Sequence, residues 1–391
     1  MAAAEAGADG VAAHAKLVLV ALLGAGQFAQ KSQAPALLKL SSPRVRIAAV
    51  YSRSEDRARQ LAGWVAEQPA EGGSCREGDP QGAPVPDVYW DEGGPDRNRR
   101  GPGRTARPPG RAGMPTPGRV PAHLRAAPGR AALPSRRQGR PQRSKPIAGS
   151  LAEARELVAG YAALGSGRPL WGVAENYRLE PGMVRLAQAC RELGAVHSLR
   201  FTAHQVVAPW NDTPWRLAPE YDGGYLLDAG VHFVAAMRLV LGDVDLSTVR
   251  ATVQRRREVL AGPDQFAASF AFRSGALGML EVIYAAPRMR VEVEALGDSG
   301  WLLLARTSRG GAHGYELTGG SGGEPRPAEF FPFGGVPRAL SGFLLAAVGH
   351  GEPRAELQPE EALADVELVD AVLRAAGWPD RGRGCGGGGK L

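Results

Sequence analysis

Asp228 and His232 are side chains whose types and spacing could perform acid–base chemistry. They stand four residues apart in residues 223–232, which read GGYLLDAGVH, and residues four apart share one face of an α-helix. A carboxylate placed there can orient an imidazole and raise its pKa, which suits a general acid or base near neutral pH. Most such helical pairs are structural, and that alternative stays open. A metal site is not predicted, because no further ligands cluster nearby.

A glycine-rich turn near the start of the chain could hold a dinucleotide. Residues 24–29 read GAGQFA, a G-x-G-x-x-A pattern that follows an apolar run. Its glycines allow a tight turn and a close approach of the backbone to a pyrophosphate, whose charge is favoured at a helix N-terminus. A plain tight turn is the alternative. The residues predicted to contact the cofactor are Gly24, Gly26, Gln27, Phe28 and Ala29.

The residues after the second predicted strand indicate which dinucleotide is preferred. An acid usually binds the ribose 2′-hydroxyl of NAD there, whereas a 2′-phosphate needs a cation and small donors. This sequence has Ser52, Arg53 and Ser54 before its first acid, Glu55. Arg53 can bind a phosphate with two N–H groups while the serines donate hydrogen bonds. NADP(H) is therefore favoured over NAD(H); the alternative is that Arg53 is the solvated start of a helix.

The elements around these motifs predict an N-terminal doubly wound parallel sheet, the Rossmann fold, over residues 16–175. Its first strand is an apolar run of the kind that is buried in parallel sheets. Ser150 and Glu153 form a capping box ahead of a helix. The predicted elements are strands at 16–26, 46–50 and 169–174 and helices at 27–40, 55–66, 150–164 and 181–193, whereas 67–96 is interpreted as loop.

The second half of the chain, residues 176–380, predicts an α+β domain with a largely antiparallel open sheet. Consecutive strand-like runs with short turns and polar–apolar alternation favour antiparallel pairing. The predicted strands are 196–207, 249–256, 266–272, 277–285, 290–296 and 301–305, and the closing helices are 335–349 and 359–376. Residues 1–15 and 381–391 are predicted to be flexible ends.

Residues 97–143 do not fit either domain. They contain thirteen arginines and no acid, so subtracting them from the net charge of +7 leaves −6 for the rest of the chain. Without an apolar period, such a segment cannot offset its ordering entropy and is predicted to be disordered. An RNA-binding role is disfavoured, since no aromatic residue lies among the arginines and no fold presents them. Permitted codons for 135–144, read one base later, encode Ala-Ala-Gly-Lys-Ala-Val-Leu-Ser-Glu, so we interpret the segment as non-native, the product of a reading-frame shift.

Taken together, G-x-G-x-x-A, the tetrapeptide KPIA that starts at Lys145, and GGYLLDAGVH resemble the Gfo/Idh/MocA oxidoreductases. The resemblance covers residues 16–66 and 144–377. It implies hydride transfer between a nicotinamide and a carbinol or carbonyl carbon, with Lys145, Asp228 and His232 lining the substrate site. His232 or Lys145 would move the hydroxyl proton, and Lys145 would stabilise a developing alkoxide. Ser144 stands where the family has a glutamate, which puts full activity in question.

The same resemblance implies further contacts and partners. Lys145 would also contact the cofactor, as would Asn176 and Arg178 in ENYRLEP and the pair Trp215–Arg216; an exposed arginine or a packed tryptophan explains these nearly as well. The implied substrate is a small sugar- or polyol-like molecule, and the open sheet offers a face on which relatives pair. A non-catalytic dinucleotide sensor on the same fold and an inactive product of a disrupted gene are the alternatives.

Composition excludes several other classes of protein. No run of 18 apolar residues is present, so no membrane partner is predicted. The first residues lack the features of a secretory or transit signal. The three cysteines are far apart and form no C-x-x-C pair, which is typical of a reducing compartment and predicts a cytoplasmic location.

Overall fold

A computed structural model of the chain describes residues 18–23, 25–40, 45–52, 54–68, 85–90, 142–166, 168–206, 223–257, 260, 262–284, 286–349 and 354–378. The chain divides into two compact units, one of residues 1–132 with 340–352 and the other of residues 133–339 with 353–391. The predicted domain boundary at residue 175 stays a prediction.

The described residues form the strands and helices of a mixed α/β chain. The strands are β1 (Val18–Leu23), β2 (Val45–Ser52), β3 (Asp87–Trp90), β4 (Gln142–Ser144), β5 (Gly172–Ala174), β6 (Val196–His204), β7 (Val244–Gln254), β8 (Gln265–Phe272), β9 (Leu277–Ile283), β10 (Arg290–Gly297), β11 (Gly300–Arg309), β12 (Ala312–Ser321) and β13 (Glu324–Pro332). The α-helices are α1 (Ala34–Leu38), α2 (Glu55–Glu67), α3 (Leu151–Ala162), α4 (Pro181–Cys190), α5 (Val231–Leu241), α6 (Gly335–Ala347) and α7 (Pro359–Ala375). Short π-helical turns lie at Ala29–Gln33 and Leu226–Gly230, and 3-10 turns at Asn176–Leu179, Arg191–Leu193 and Ala355–Leu357.

The first unit contains a parallel sheet in the order β1-β2-β3. Ile47 and Val50 of β2 are fully buried. Helix α2 buries Leu61 and Val65 with neighbouring alanines at helical spacing, so one apolar stripe packs on the sheet. The predicted strand–helix–strand–helix order of this unit is confirmed.

Strand β1 is less buried than its apolar sequence predicts. The side chains of Leu19 and Leu23 are 57% and 66% exposed. Among the described residues, β1 pairs only with β2. A parallel strand is covered when it has a neighbour on each edge and helices on both faces, so the prediction of a buried strand is wrong for these two side chains.

The second unit contains a sheet in the order β13-β12-β11-β10-β6-β9-β8-β7, which is antiparallel except between β6 and β9. Period-two burial places Phe266, Phe270 and Phe272 of β8 on one face. Phe201 of β6 packs against Phe233 of α5 with ring centroids 5.0 Å apart. The predicted largely antiparallel C-terminal sheet, covered by helices, is confirmed.

A separate parallel pair in this unit, β4 and β5, brings two chain segments together. The predicted capping box forms in part: Glu153 N–H donates to Ser150 Oγ at 3.3 Å, whereas Glu153 Oε2 accepts from the N–H of Gly149, one residue before the N-cap, at 3.0 Å. Gly194, at φ +74°, follows α4 and its 3-10 turn as predicted.

Four strands depart from the sequence interpretation. β3 lies in a stretch interpreted as loop, and β12 and β13 have no predicted counterpart. Their glycines and prolines weaken the strand pattern, yet both are paired along most of their length. β4 extends to Gln142, so the last residues of the segment 97–143 are ordered; residues 97–141 lie outside the described residues. No helix in the described part of the chain is long and apolar enough to cross a membrane.

Candidate active site

Two glycines start the helical segment that carries Asp228 and His232. Gly223 and Gly224 have φ of +72° and +49°, a region that glycine enters without steric penalty. They turn the chain into the π-helical turn Leu226–Gly230, which continues directly as α5. The G-G of the motif is therefore required by the backbone.

We expect Gly223→Ala to destabilise the fold by about 1–3 kcal/mol, the cost of holding a non-glycine residue at positive φ. A Cβ on Gly223 would also lie 2.8 Å from Cδ1 of Leu373 on α7. The control is Gly242→Ala, since Gly242 has φ +79° but no heavy atom within 4 Å of such a Cβ. Thermal unfolding measures both, and equal losses would show that the contact with Leu373 adds nothing.

Asp228 interacts with Lys145 through both its backbone and its side chain. Lys145 Nζ donates to the backbone carbonyl of Asp228 and lies 3.3 Å from Asp228 Oδ1. The two side chains are 18% and 12% exposed, so the ion pair is largely shielded from water. The structure therefore brings together two of the residues that the sequence proposed, across 83 positions of chain.

His232 forms its hydrogen bond with Glu175. Nδ1 of His232 lies 2.6 Å from Glu175 Oε1. The hydrogen bond that orients His232 therefore comes from Glu175, where the sequence interpretation expected Asp228. One ring face of His232 is covered by Tyr177, with centroids 4.8 Å apart and planes 21° apart.

The electrostatics of this pair also differ from the expectation. Burial lowers the pKa of His232, and the positive charge of Lys145 adds to the effect, against the opposing pull of Glu175 and Asp228. Burial opposes the charge of Glu175, but His232, Arg178 and the N–H of Tyr177 together hold its pKa below the ordinary value. The expected rise of the His232 pKa is therefore wrong. A neutral imidazole beside an ionised carboxylate donates from Nδ1 and keeps its lone pair on Nε2.

Glu175 is the residue that sequence reasoning missed. β4 and β5 are parallel, with Ser144 paired to Ala174, so Lys145 and Glu175 leave the same carboxyl edge of the pair. Ligands of open α/β sheets bind at that edge. The available signal was an acid immediately after an apolar strand, in the same position relative to β5 as Lys145 has to β4.

The side chain of Arg178 is buried and bonded to groups of helix α7. Its side chain is 3% exposed and its guanidinium binds the buried carboxylate of Asp365 and the carbonyl of Glu361 on α7. The exposed-arginine alternative is wrong, and its role in cofactor binding stays a prediction. Asn176 begins the 3-10 turn that holds Arg178; its cofactor contact also stays a prediction.

The glycine turn of the first unit has the features that a dinucleotide requires. A Cβ on Gly26 would meet no heavy atom of the described residues within 4 Å, so this part of the chain leaves the backbone accessible there. The buried Ala25 and Ala29 fix the corner between strand and helix, and Phe28 and Gln27 are exposed beside it. A pyrophosphate therefore has room to approach this turn.

Ser52 and Ser54 lie at the end of β2. Ser54 N–H donates to Ser52 Oγ at 3.3 Å, which leaves the Ser52 hydroxyl proton able to donate elsewhere. Ser54 precedes α2 as its N-cap. Four other predicted contacts, Gly24, Arg53, Trp215 and Arg216, lie outside the described residues. No cluster of three metal-ligating side chains occurs among the residues that the structure describes.

Residues 184–303 match the model of the GFO/IDH/MocA C-terminal domain. A relative over nearly the whole chain is Dehydrogenase FPY6 of Fusarium mangiferae, 29% identical over 375 residues, which cover 92% of this chain and 97% of the relative.

Solved structures share the fold. KijD10, a 3-ketoreductase from Actinomadura kijaniata in complex with TDP-benzene and NADP, has a TM-score of 0.66 at 18% identity and covers 92% of this chain and 98% of its own. The aldose-aldose oxidoreductase of Caulobacter crescentus, complexed with glycerol, has a TM-score of 0.63 at 17% identity with coverage of 92% and 98%. Other structures with this fold are complexes with NAD.

Proposed function

We propose that this chain is an oxidoreductase of the Gfo/Idh/MocA type, whose C-terminal domain model residues 184–303 match, and that it interconverts a carbinol and a carbonyl group of a small sugar- or polyol-like molecule with NADP(H). The observation that carries this proposal is the pairing of Lys145 with Asp228 and of His232 with Glu175 in one unit. These pairs place the cation of Lys145 and the neutral imidazole of His232 in one unit, and a cation with a neutral base can together move a hydroxyl proton.

The two groups have complementary tasks in the direction of alcohol oxidation. Nε2 of His232 accepts the hydroxyl proton, because its lone pair is free when Nδ1 carries the hydrogen. The ammonium of Lys145 stabilises the negative charge that develops on the substrate oxygen. The hydride chemistry would come from a nicotinamide, which would accept the hydride in this direction and supply it in the reverse. In the reverse direction the imidazolium returns the proton to the carbonyl oxygen.

NADP(H) is the proposed cofactor because the chain after β2 offers hydroxyl groups and a cation in place of an acid. Ser52 and Ser54 supply the hydroxyls, and the guanidinium of Arg53 can donate two hydrogen bonds to a 2′-phosphate. The glycine turn at Gly26 accommodates the pyrophosphate, which NAD(H) and NADP(H) share. The preference between them therefore depends on the residues at 52–54.

We expect Arg53→Ala to weaken NADPH binding by about 10- to 150-fold, because a hydrogen bond to a charged group contributes about 1.5–3 kcal/mol. NADH lacks the 2′-phosphate, so its affinity should change little. Fluorescence titration with both reduced cofactors measures the effect, and an equal loss for NADH would assign Arg53 to the fold. Arg57→Ala, four residues further along the sequence, is the matched control.

The reaction itself is tested by following NADPH absorbance with a panel of aldoses, ketoses, polyols and inositols. Turnover of at least one member, abolished in a Lys145 or His232 variant, is the expected result. Tight NADPH binding without turnover of any member would instead favour a non-catalytic dinucleotide sensor.

A further inference from the structure

We propose that Glu175 is the positioning residue of this site: it fixes the imidazole of His232 as the Nδ1–H tautomer, so that Nε2 is the atom that exchanges a proton with the substrate. This inference rests on the proposed function for its catalytic meaning. The orientation of the ring, however, is a property of the folded chain that can be measured without turnover.

The geometry around Glu175 constrains the ring in two directions. One oxygen, Oε1, lies 2.6 Å from Nδ1 of His232 and also accepts the Tyr177 N–H at 3.0 Å. The Tyr177 ring lies against the face of the same imidazole. Glu175 and Tyr177 are two residues apart, so one short segment holds both the edge and the face of His232. Rotation of the ring would break the hydrogen bond and the stacking together.

Glu175 differs from two other buried acids, Glu180 and Asp264, in the hydrogen bonding of its second carboxylate oxygen. Glu180 accepts backbone N–H groups on both oxygens, from Gly334 and Gly335. Asp264 also uses both oxygens on backbone amides, from Arg256 and Arg257.

Glu175 is as deeply buried as these acids, with 1% of its surface exposed, yet its Oε2 has no hydrogen-bond partner among the residues that the structure describes. A buried polar atom without a partner costs about 1–3 kcal/mol and calls for an explanation. Buried acids whose charge is retained beside a titratable partner are typical of functional sites. The role of holding His232 explains why an acid occupies this position.

Charged groups from every neighbouring element contribute to the state of His232. Lys145 follows β4, Asp228 lies in the π-helical turn, and Glu175 follows β5; these three act on the imidazole directly. Arg178 stands behind Glu175 and binds Asp365 of α7, which also binds Arg238 of α5. Of these groups, Glu175 is the one that contacts the ring by a hydrogen bond.

Nitrogen NMR of histidine-labelled protein tests the inference without any substrate. In the full chain, the His232 signal, assigned by its loss in His232→Asn, is expected to be that of the neutral Nδ1–H tautomer at neutral pH. An Nε2–H tautomer would overturn the proposal. This measurement needs no Glu175 variant, so it decides even where such a variant fails to fold.

Glu175→Gln supplies the second test. Removing the carboxylate takes away a charge that raises the pKa of His232, so the pKa of His232 should fall further below its ordinary value. The acid limb of kcat/KM for alcohol oxidation should then move to lower pH, because the ring stays unprotonated longer. We expect kcat to fall about tenfold or more, with KM nearly unchanged, and Glu175→Asp to recover part of the loss.

Glu281→Gln is the matched control, because Glu281 Oε1 lies 2.6 Å from Nε2 of His204 on the sheet, outside the site. It should alter the His204 signal and leave kcat unchanged. Unchanged titration of His232 in Glu175→Gln would overturn the positioning role. If no substrate is turned over, the tautomer and titration still decide, so failure of the proposed function and failure of this inference are distinguishable.

Discussion

His232→Asn is expected to lower kcat for alcohol oxidation by about 10²–10⁴-fold, the contribution that a positioned general base makes. Asparagine has no basic nitrogen, yet it is short enough to occupy the place of the imidazole. The side chain of His232 is 15% exposed, so the substitution alters the site with little change to the surface. The measurement is steady-state kcat and KM with NADP⁺ and the best substrate of the panel.

The loss should lie in kcat, because the proton is transferred in the transition state and not on binding. NADPH affinity, measured by fluorescence, should be retained. His204→Asn is the control, since His204 on β6 has a carboxylate partner at the same 2.6 Å distance, but that partner is Glu281 of β9. An unchanged kcat in His232→Asn would remove His232 from the chemistry.

Much of the fold followed from signals that lie close together in the sequence. The glycine turn, the capping box of Ser150 and Glu153, and the stripe of Leu61 and Val65 each depend on residues within a few positions. Polar–apolar alternation in the sequence likewise predicted β8 and β10, and the structure shows the matching alternation of burial. β12 and β13 were missed because their stability comes from pairing with neighbours and not from composition.

The candidate site was only partly readable, for a related reason. Lys145, Asp228 and His232 were identified by motif, but their pairing depends on chain segments far apart in sequence. Glu175 and His232 are 57 positions apart in the sequence, so no pattern of neighbouring residues predicts their contact. The helical spacing of Asp228 and His232 suggested a pair, yet His232 forms its hydrogen bond with Glu175 and Asp228 forms an ion pair with Lys145.

Local reasoning also failed at β1, where it predicted burial on the strength of an apolar sequence. The exposure of Leu19 and Leu23 depends on which elements cover β1, namely the helix on that face of the sheet and the strand at its second edge. In the strand order 3-2-1-4-5-6 of a doubly wound sheet, that neighbour comes from the chain after β3. The corresponding residues are those that the sequence analysis interpreted as encoded out of frame.

A version of the protein whose residues 97–143 are encoded in the shifted frame is expected to bind NADPH at least about tenfold more tightly and to unfold at a higher temperature. Complete burial of an exposed leucine contributes about 1.5–3 kcal/mol. Because Leu19 and Leu23 are 57% and 66% exposed, covering them would stabilise the fold by about 1–2 kcal/mol for each side chain. A difference of that size moves Tm by about 2–4 °C per kcal/mol in a domain of 150–250 residues. Affinity should rise because β1 leads directly into the glycine turn, and a strand held on both edges fixes that turn. Fluorescence titration and thermal unfolding of the two proteins provide the comparison.

Leu19→Ala separates this explanation from a general effect of sequence length or charge. In the chain as it stands, Leu19 is 57% exposed, so its truncation should change stability by less than about 0.5 kcal/mol, as at other surface positions. In the frame-restored protein the same side chain would be buried, and truncation should cost about 2–5 kcal/mol. Equal NADPH affinity in the two parent proteins, or equal effects of Leu19→Ala in both, would show that residues 97–143 in the shifted frame do not supply a cover for β1.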